Sequence, residues 1–258
     1  MKVINFLIVV FTILSCTTAE VAEEVENTPA AGFNMEESDA KAIAIADQVM
    51  EAMGGRRSWD NTKYICWNFF GARELIWDKH SGDVRINSMR DSSIYLINIF
   101  NNSGRVMRKG VELTDPDSIQ KYVDRGKRIW INDSYWLVMP YKLKDSGVTL
   151  TWKREEMTES GLKSDVLQLE FENVGVTPDN WYEVWVDQES HLVRQWAYYR
   201  HDTLQEPGFV RPMDEWEQKG NILLSGNRGD RSLTDIMVLE SLPSHTFSSF
   251  EPVILVNN

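Results

Sequence analysis

Past residue 38 the apolar positions of this chain follow first a helical and then a strand period. Ala42, Ile45, Ala46, Val49 and Met53 recur at three- and four-residue spacing, Ser38 stands where an N-cap belongs, and Gly54-Gly55 ends the run. One amphipathic helix is expected. From residue 64 apolar residues take alternate positions or short runs over 64–70, 73–77, 84–88, 93–100 and 105–108, with Gly71, Ser81-Gly82-Asp83, Asp91 and 101–104 as turns. That is the pattern of an antiparallel meander. LTDPDSIQKYVDRGKRIWI interrupts it: Thr114 or Asp115 can cap, Pro116 suits a first helical turn, and Ile119, Tyr122, Val123 and Trp130 share a face. A second helix is expected there, weakened by Gly126. Strands are expected again over 135–139, 148–153, 166–171, 215–219, 222–225 and 235–239, with a hairpin across DNWYEVWVDQESHLVRQWAYYR, 179–200.

Helices do not alternate with strands, which excludes a doubly wound α/β fold and leaves a sandwich, a closed barrel, or a curved sheet with helices in its hollow. In the hairpin, a turn at 188–190 puts Trp181, Glu183, Trp185, Val193, Gln195 and Ala197 on one face. Tyr182, Val184, Val186, Leu192, Arg194 and Trp196 fall on the other. Neither face is purely polar, so both are expected to be covered.

The chain starts MKVINFLIVVFTILSC, one cation before a largely apolar run and a small residue before Cys16. This is the form of a secretory signal. Ile13-Leu14-Ser15-Cys16 resembles a bacterial lipobox, which implies cleavage before Cys16 and a lipid anchor on it, of palmitate-type acyl chains. Thr17, where Asp would retain a lipoprotein in the inner membrane, implies the outer membrane of a Gram-negative envelope. The expected organisation is a signal peptide over 1–15, an acidic flexible tether over 16–38 and one domain over 39–258.

The 258 residues are 42% hydrophobic and 26% charged, the balance of a soluble globular domain. A net charge of −12 excludes a protein whose main task is gripping nucleic acid. With Cys16 lipidated, Cys66 has no intrachain partner and is expected to be a buried small hydrophobe.

MEAMGGRRSW, the meander, the mid-chain helix, WYEVWVDQESHLVRQWAYY and DIMVLESLPSHTFSSF, in that order, resemble lipoproteins of the LolA/LolB-like superfamily. Within it they are similar to Bacteroidota lipoproteins in which a strand ending in Val-Asp, a short polar turn and a Leu restart the next strand, here Val186-Asp187, 188–191 and Leu192. The resemblance implies a mainly β fold with α: a curved antiparallel sheet or incomplete β-barrel of about ten or eleven strands, plugged by two or three helices. It also implies an apolar cavity for lipid or lipoprotein acyl chains, with a part in trafficking or envelope sensing. An anchored member resembles a receptor more than a free shuttle.

Enzyme chemistry finds little footing. There is no Gly-x-Ser-x-Gly elbow, His-Glu-x-x-His or Gly-rich phosphate loop. His80, His191, His201 and His245 stand singly, so no metal and no cofactor is expected. Glu155, Glu156, Glu159, Glu170 and Glu172 read as a solvated face. The aromatics carry the functional reading. Trp67, Phe69, Trp77, Ile97, Ile99, Trp130, Trp136, Trp185 and Trp196 are the expected lining of a hydrophobic cavity, with Trp185 and Trp196 foremost. The partners so expected are a lipid or acylated lipoprotein, the membrane through Cys16, and a protein partner if the chain is a sensor. The alternative is a glycan-binding surface of exposed Trp and Tyr. Position discriminates: a cavity hides its rings beneath helices, whereas a platform exposes a flat row.

Overall fold

The computed structural model describes residues 27–171, 180–201 and 206–255. The signal segment, Cys16, the tether as far as 26 and Glu172 lie outside the described residues. Residues 27–38, expected to be free tether, lie along the domain instead. Ala30 N donates to Lys144 O, Asn34 N to Val148 O, and Gly147 N to Gly32 O, while the Phe33 ring is buried.

Helix α1 (Ala40–Ala52) buries Ala42, Ile45, Ala46, Val49 and Met50, close to the expected stripe. Ser38 does not cap it. Asp39 takes the N-cap position, but its carboxylate accepts from Trp152 N at 2.9 Å, and Ser38 Oγ accepts from Leu150 N at 3.0 Å. Both side chains therefore tie the helix start to a strand rather than close its own first turn. At the other end Gly54 has φ 108°, and a Cβ there would lie 2.4 Å from Asn221 O. Only glycine permits that approach in that conformation. A short helix α2 (Gly55–Asn61), not foreseen from the sequence, follows and buries Trp59, stacked on Tyr141 at 4.2 Å.

The strands form open antiparallel sheets. In the first, β1 (Tyr64–Phe69), β2 (Arg73–Asp78), β3 (Asp83–Ser88), β4 (Ser93–Asn98), β5 (Ser103–Arg108) and β6 (Val111–Glu112) run as a meander, and β14 (Leu233–Leu239) pairs with β1 at the edge. The second holds β7 (Val148–Met157), β8 (Lys163–Phe171), β9 (Trp181–Asp187), β10 (Val193–Tyr199) and β11 (Phe209–Pro212). A hairpin of β12 (Asp214–Lys219) and β13 (Ile222–Asn227) touches β10 on one side and β14 on the other. Among the described residues the fold is mainly β with three α-helices, and no sheet closes on itself. Its fourteen described strands exceed the ten or eleven that the resemblance implies; the apolar pattern missed only the short β6 and β11, which carry no readable period, and added one at 135–139.

Helix α3 (Pro116–Val138) crosses the hollow between the sheets, packed on β4 and β5. Asp115 caps it, accepting from Ser118 N at 2.8 Å. Gly126 is buried where a Cβ would meet Ile97 Cδ1 at 3.0 Å and Tyr95 Cδ1 at 3.1 Å, so the residue that weakens the isolated helix lets it seat on the sheet. The strand expected at 135–139 is helix. Asp133, Ser134, Leu137 and Val138 prolong the buried stripe with no turn residue between, and a formed helix propagates cheaply. Arg228, fully buried, donates to Trp136 O at 2.6 Å and Ser225 Oγ at 3.1 Å, setting a cation at the helix C-terminus.

The opposite face of the first sheet is covered by the C-terminal segment. Leu242, Phe247, Val253 and Leu255 pack on Cys66, Ile76 and Leu239. Burial pushes the Cys66 thiol up to about 12, which suits an inert core residue. Arg85, 1% exposed, donates to four carbonyls of that segment: Thr246 O, Ser249 O, Phe250 O and Glu251 O, at 2.7–3.4 Å.

The hairpin of β9 and β10 is indeed covered on both faces. Its expected grouping fails at one place: a bulge between Val193 and Gln195 puts Val193 opposite Val186, on the inner face. Trp196 then pairs with Val184 inside, and Gln195 with Trp185 outside. The outer face is closed by Arg154, which donates to both Glu183 oxygens at 2.6 and 3.0 Å and to Glu156 at 2.8 Å. Trp185 Nε1 donates to the same Glu156 at 3.1 Å, so that residue of the expected solvated face serves as a lid contact.

Lys79 gives the fold a pH dependence. It donates to Trp59 O and Thr62 O at the end of α2 and lies 3.7 Å above the Trp59 ring. Burial lowers its pKa to about 8, against the pull of Asp60. Between that value and about 10.4 the unfolded chain binds more protons than the native one, so this residue's contribution to stability rises with pH. Urea unfolding should show a gain of about 1–2 kcal/mol from pH 7.5 to 9.5 that Lys79→Met abolishes. An equal gain in both proteins would assign the dependence elsewhere.

Candidate functional site

The inner face of the second sheet and the last turns of α3 share one aromatic network. Tyr135 and Trp136, adjacent on α3, reach rings from β8, β9, β10 and β11. Tyr135 lies 5.4 Å from Tyr182 and 6.2 Å from Phe171, and Trp136 lies 4.9 Å from Trp196 and 5.1 Å from Phe209. Tyr182 stacks on Trp196 at 5.5 Å and Tyr198 on Phe209 at 5.3 Å. Tilted, edge-on and offset contacts of this kind are the favourable ones for rings.

From Trp136 the network continues to the end of β1, with Phe70 at 5.2 Å and Phe69 at 6.3 Å. There it opens. A cleft of about 460 Å³ is lined by Phe69, Phe70, Ala72, Arg73, Arg90, Asn132, Trp136 and Arg231. Phe70 is held at φ 53°, a conformation that bulky residues avoid. The turn is secured by Asn68 Oδ1, which accepts from Gly71 N at 2.8 Å. Arg73 is bound to Asp133 in a bidentate pair, Nε to Oδ2 at 2.6 Å and a terminal nitrogen to Oδ1 at 2.9 Å. Burial pushes the Asp133 carboxyl up and the Arg73 guanidinium pulls it back. With Asn132 Nδ2 also donating to it at 2.9 Å, its oxygens face three N–H donors, the surroundings of a carboxylate.

The interior is desolvated but not wholly apolar. Trp67 Nε1, Trp77 Nε1, Trp130 Nε1, Tyr135 OH and Trp196 Nε1 are buried without a hydrogen-bond partner among the described residues. Of these only Tyr135 OH and Trp196 Nε1 belong to the aromatic network that reaches the cleft. Burial, with Tyr182 beside it, raises the Tyr135 hydroxyl well above its ordinary value, so it remains a neutral donor.

No family model matches this chain, and no curated protein matches it. Among solved structures, the chain is similar to the following two. One is a DUF1329 family protein from Desulfovibrio piger, 12% identical, TM-score 0.44, over 80% of this chain and 97% of the other. The second is a domain from Vibrio parahaemolyticus provisionally described as an outer membrane lipoprotein-sorting protein, 8% identical, TM-score 0.40, over 81% of this chain and 96% of the other. Likeness at this level carries no argument about function, which rests on the side chains.

Of the residues expected to line a cavity, Phe69 and Trp136 form the cleft wall and Trp196 stands behind them. Trp67, Trp77, Ile97 and Ile99 are buried in the main core, and Trp130 packs on Trp77 at 5.2 Å beneath α3, away from the opening. Trp185 faces the other way, packed with Val166, Ala197 and Tyr199 on the outer face, because residues of odd number in β9 point outward. Missed were Phe70, Tyr135, Phe171, Tyr182, Tyr198 and Phe209, and the arginines. Tyr182 and Tyr198 share the strand parity of Trp196 and were readable from it; Phe209 and Arg231 come from turns and edges without a period. All ten Trp residues are buried or half-buried, so no row of exposed indoles offers a sugar platform. A second open cleft, about 480 Å³ along α1, is lined by Asn27, Asp47, Gln48, Met50, Glu51, Ala52, Arg56 and His191, and shares no residue with the aromatic network. Among the described residues no helix is long and apolar enough to cross a membrane.

Proposed function

We propose that this chain is an envelope lipoprotein, anchored through Cys16 to the outer membrane, which binds the acyl part of a lipid or acylated lipoprotein without chemically altering it. The observation that carries the reading is the continuity of the aromatic network from the core, through Trp196 and Trp136, to an open cleft walled by Phe69 and Phe70. The rings of Phe69, Phe70 and Trp136 offer a hydrocarbon chain the apolar contacts that ligand sites use, and Arg73, Arg90, Asn132 and Arg231 make up the polar half of the lining. Half-buried rings at the mouth, Phe70 and Trp136, suit a hydrocarbon chain. Carriage of such a ligand, or sensing of it, is the role that follows.

Cells making the full chain and fed an alkyne-tagged, diazirine-bearing fatty acid test both halves. The account expects one label on the peptide beginning at Cys16 without irradiation, and a second, light-dependent one on peptides containing Phe70 or Trp136. Trp136→Ala should cut the second about tenfold or more, as loss of a central aromatic anchor does, and leave the first unchanged. Light-dependent label spread evenly over the surface would remove the binding claim. Absence of label on Cys16 would remove the anchor.

A further inference from the structure

The cleft is cationic in an acidic protein. Arg73, Arg90 and Arg231 converge on it although the chain carries a net charge of −12, and no Asp or Glu is among its lining residues. Arg73 is committed to Asp133. Arg90 and Arg231 are exposed and make no ion pair with a described residue, and the Arg231 guanidinium stands 5.6 Å from the Phe70 ring. Guanidinium groups bind carboxylate and phosphate oxygens through paired N–H donors. An aromatic wall and two exposed guanidiniums, of which Arg90 also acts on the Asp133 charge, match a molecule that is apolar at one end and anionic at the other. Phe70, in its left-handed conformation, places its ring between the two regions, in contact with Trp136 and beneath Arg231.

We propose that the cleft selects an anionic single-chain amphiphile, whose carboxylate or phosphate monoester head lies between Arg90 and Arg231 and whose chain runs over Phe70 and Trp136. This rests on the acyl-binding reading above and adds the class of head group. It does not extend to free anions: exposed arginines without a chain to seat are too well hydrated to hold a small anion tightly.

The test uses the full chain held in amphipol, with tryptophan emission as readout and dodecanoate, dodecyl phosphate, dodecanol and inorganic phosphate as probes. Dodecanoate or dodecyl phosphate should bind at least tenfold more tightly than dodecanol, and the preference should shrink as salt is raised. Arg90→Gln with Arg231→Gln, both at exposed positions, should bring the affinities for dodecanoate and dodecyl phosphate down to that for dodecanol. Equal binding of the charged and neutral amphiphiles, unaltered in the double variant, overturns the head-group proposal and leaves the acyl site standing. Failure of all three amphiphiles overturns both. Inorganic phosphate binding as tightly as dodecyl phosphate overturns the amphiphile in favour of a plain anion site.

Discussion

Asp133→Ala should cost about 3–5 kcal/mol of stability, the largest effect expected of any single substitution discussed for this chain. Asp133 is completely buried on α3, and its partner Arg73, with a side chain 16% exposed, has its Nε and one terminal nitrogen fixed on it. Removing the carboxylate leaves a guanidinium largely out of water with no opposite charge, which costs more than the pair contributes when intact. The contrast lies in the double replacement. Arg73→Met with Asp133→Leu removes both charges and keeps the volume, so it should recover most of the loss. Thermal unfolding reads the difference: a fall of roughly 6–20 °C for the single variant against a few degrees for the double. A single variant as stable as the parent would mean that Arg73 finds water or another partner, and that α3 is not fastened to β2 by this pair.

Arg85→Met is expected to loosen one segment rather than the whole domain. The guanidinium holds four carbonyls between Thr246 and Glu251, and the other side-chain donor to that stretch, Arg105, reaches only Ser248 O. Methionine keeps the apolar stem against the sheet and removes every donor. The loss should be about 3 kcal/mol, since hydrogen bonds from a charge are the stronger kind and the carbonyls are left partly dry. Hydrogen exchange should speed up over 242–255 and not in α3 or β7–β10, because those lie on the far side of the first sheet. Arg85→Lys should rescue only in part: a lysine has the charge but not the planar fork that spans separate acceptors. Uniform acceleration across the domain would show that the C-terminal segment folds as one unit with the core.

The class of fold was legible in the sequence because it rests on period. The meander from Tyr64 to Arg108 and the hairpin around Asp187 show alternate or short-run apolar positions bounded by turn residues, and the strands appear there. Errors fall where a local signal was outweighed by a tertiary one. Ser38 looked like a cap, but Leu150 N claims its hydroxyl. Residues 135–139 are aromatic and β-branched enough to read as strand, yet they extend a helix whose buried stripe began at Val123. In the hairpin a single bulge reversed Val193, because strand parity cannot see an inserted residue.

The site was legible in one dimension only. Phe69, Trp136 and Trp196 could be picked out as large rings on strand or helix faces, but nothing along the chain tells that positions 69, 136 and 196 meet. Trp185 shows the reverse limit: chemically the same as Trp196 and eleven residues before it, it faces away from the hollow under Arg154. The arginine rim was invisible because its members come from the first residue of β2, the β3–β4 turn and the loop between β13 and β14, which only the fold brings together.

The central claim is that the aromatic hollow accepts an acyl chain, and native mass spectrometry of a soluble form beginning at Asn27 addresses it without presuming the ligand. The account predicts a second species, heavier by the mass of a lipid or fatty acid, which is lost in Trp136→Ala and restored in stripped parent protein by added dodecanoate. A spectrum showing the bare chain alone, unchanged by dodecanoate, would contradict it.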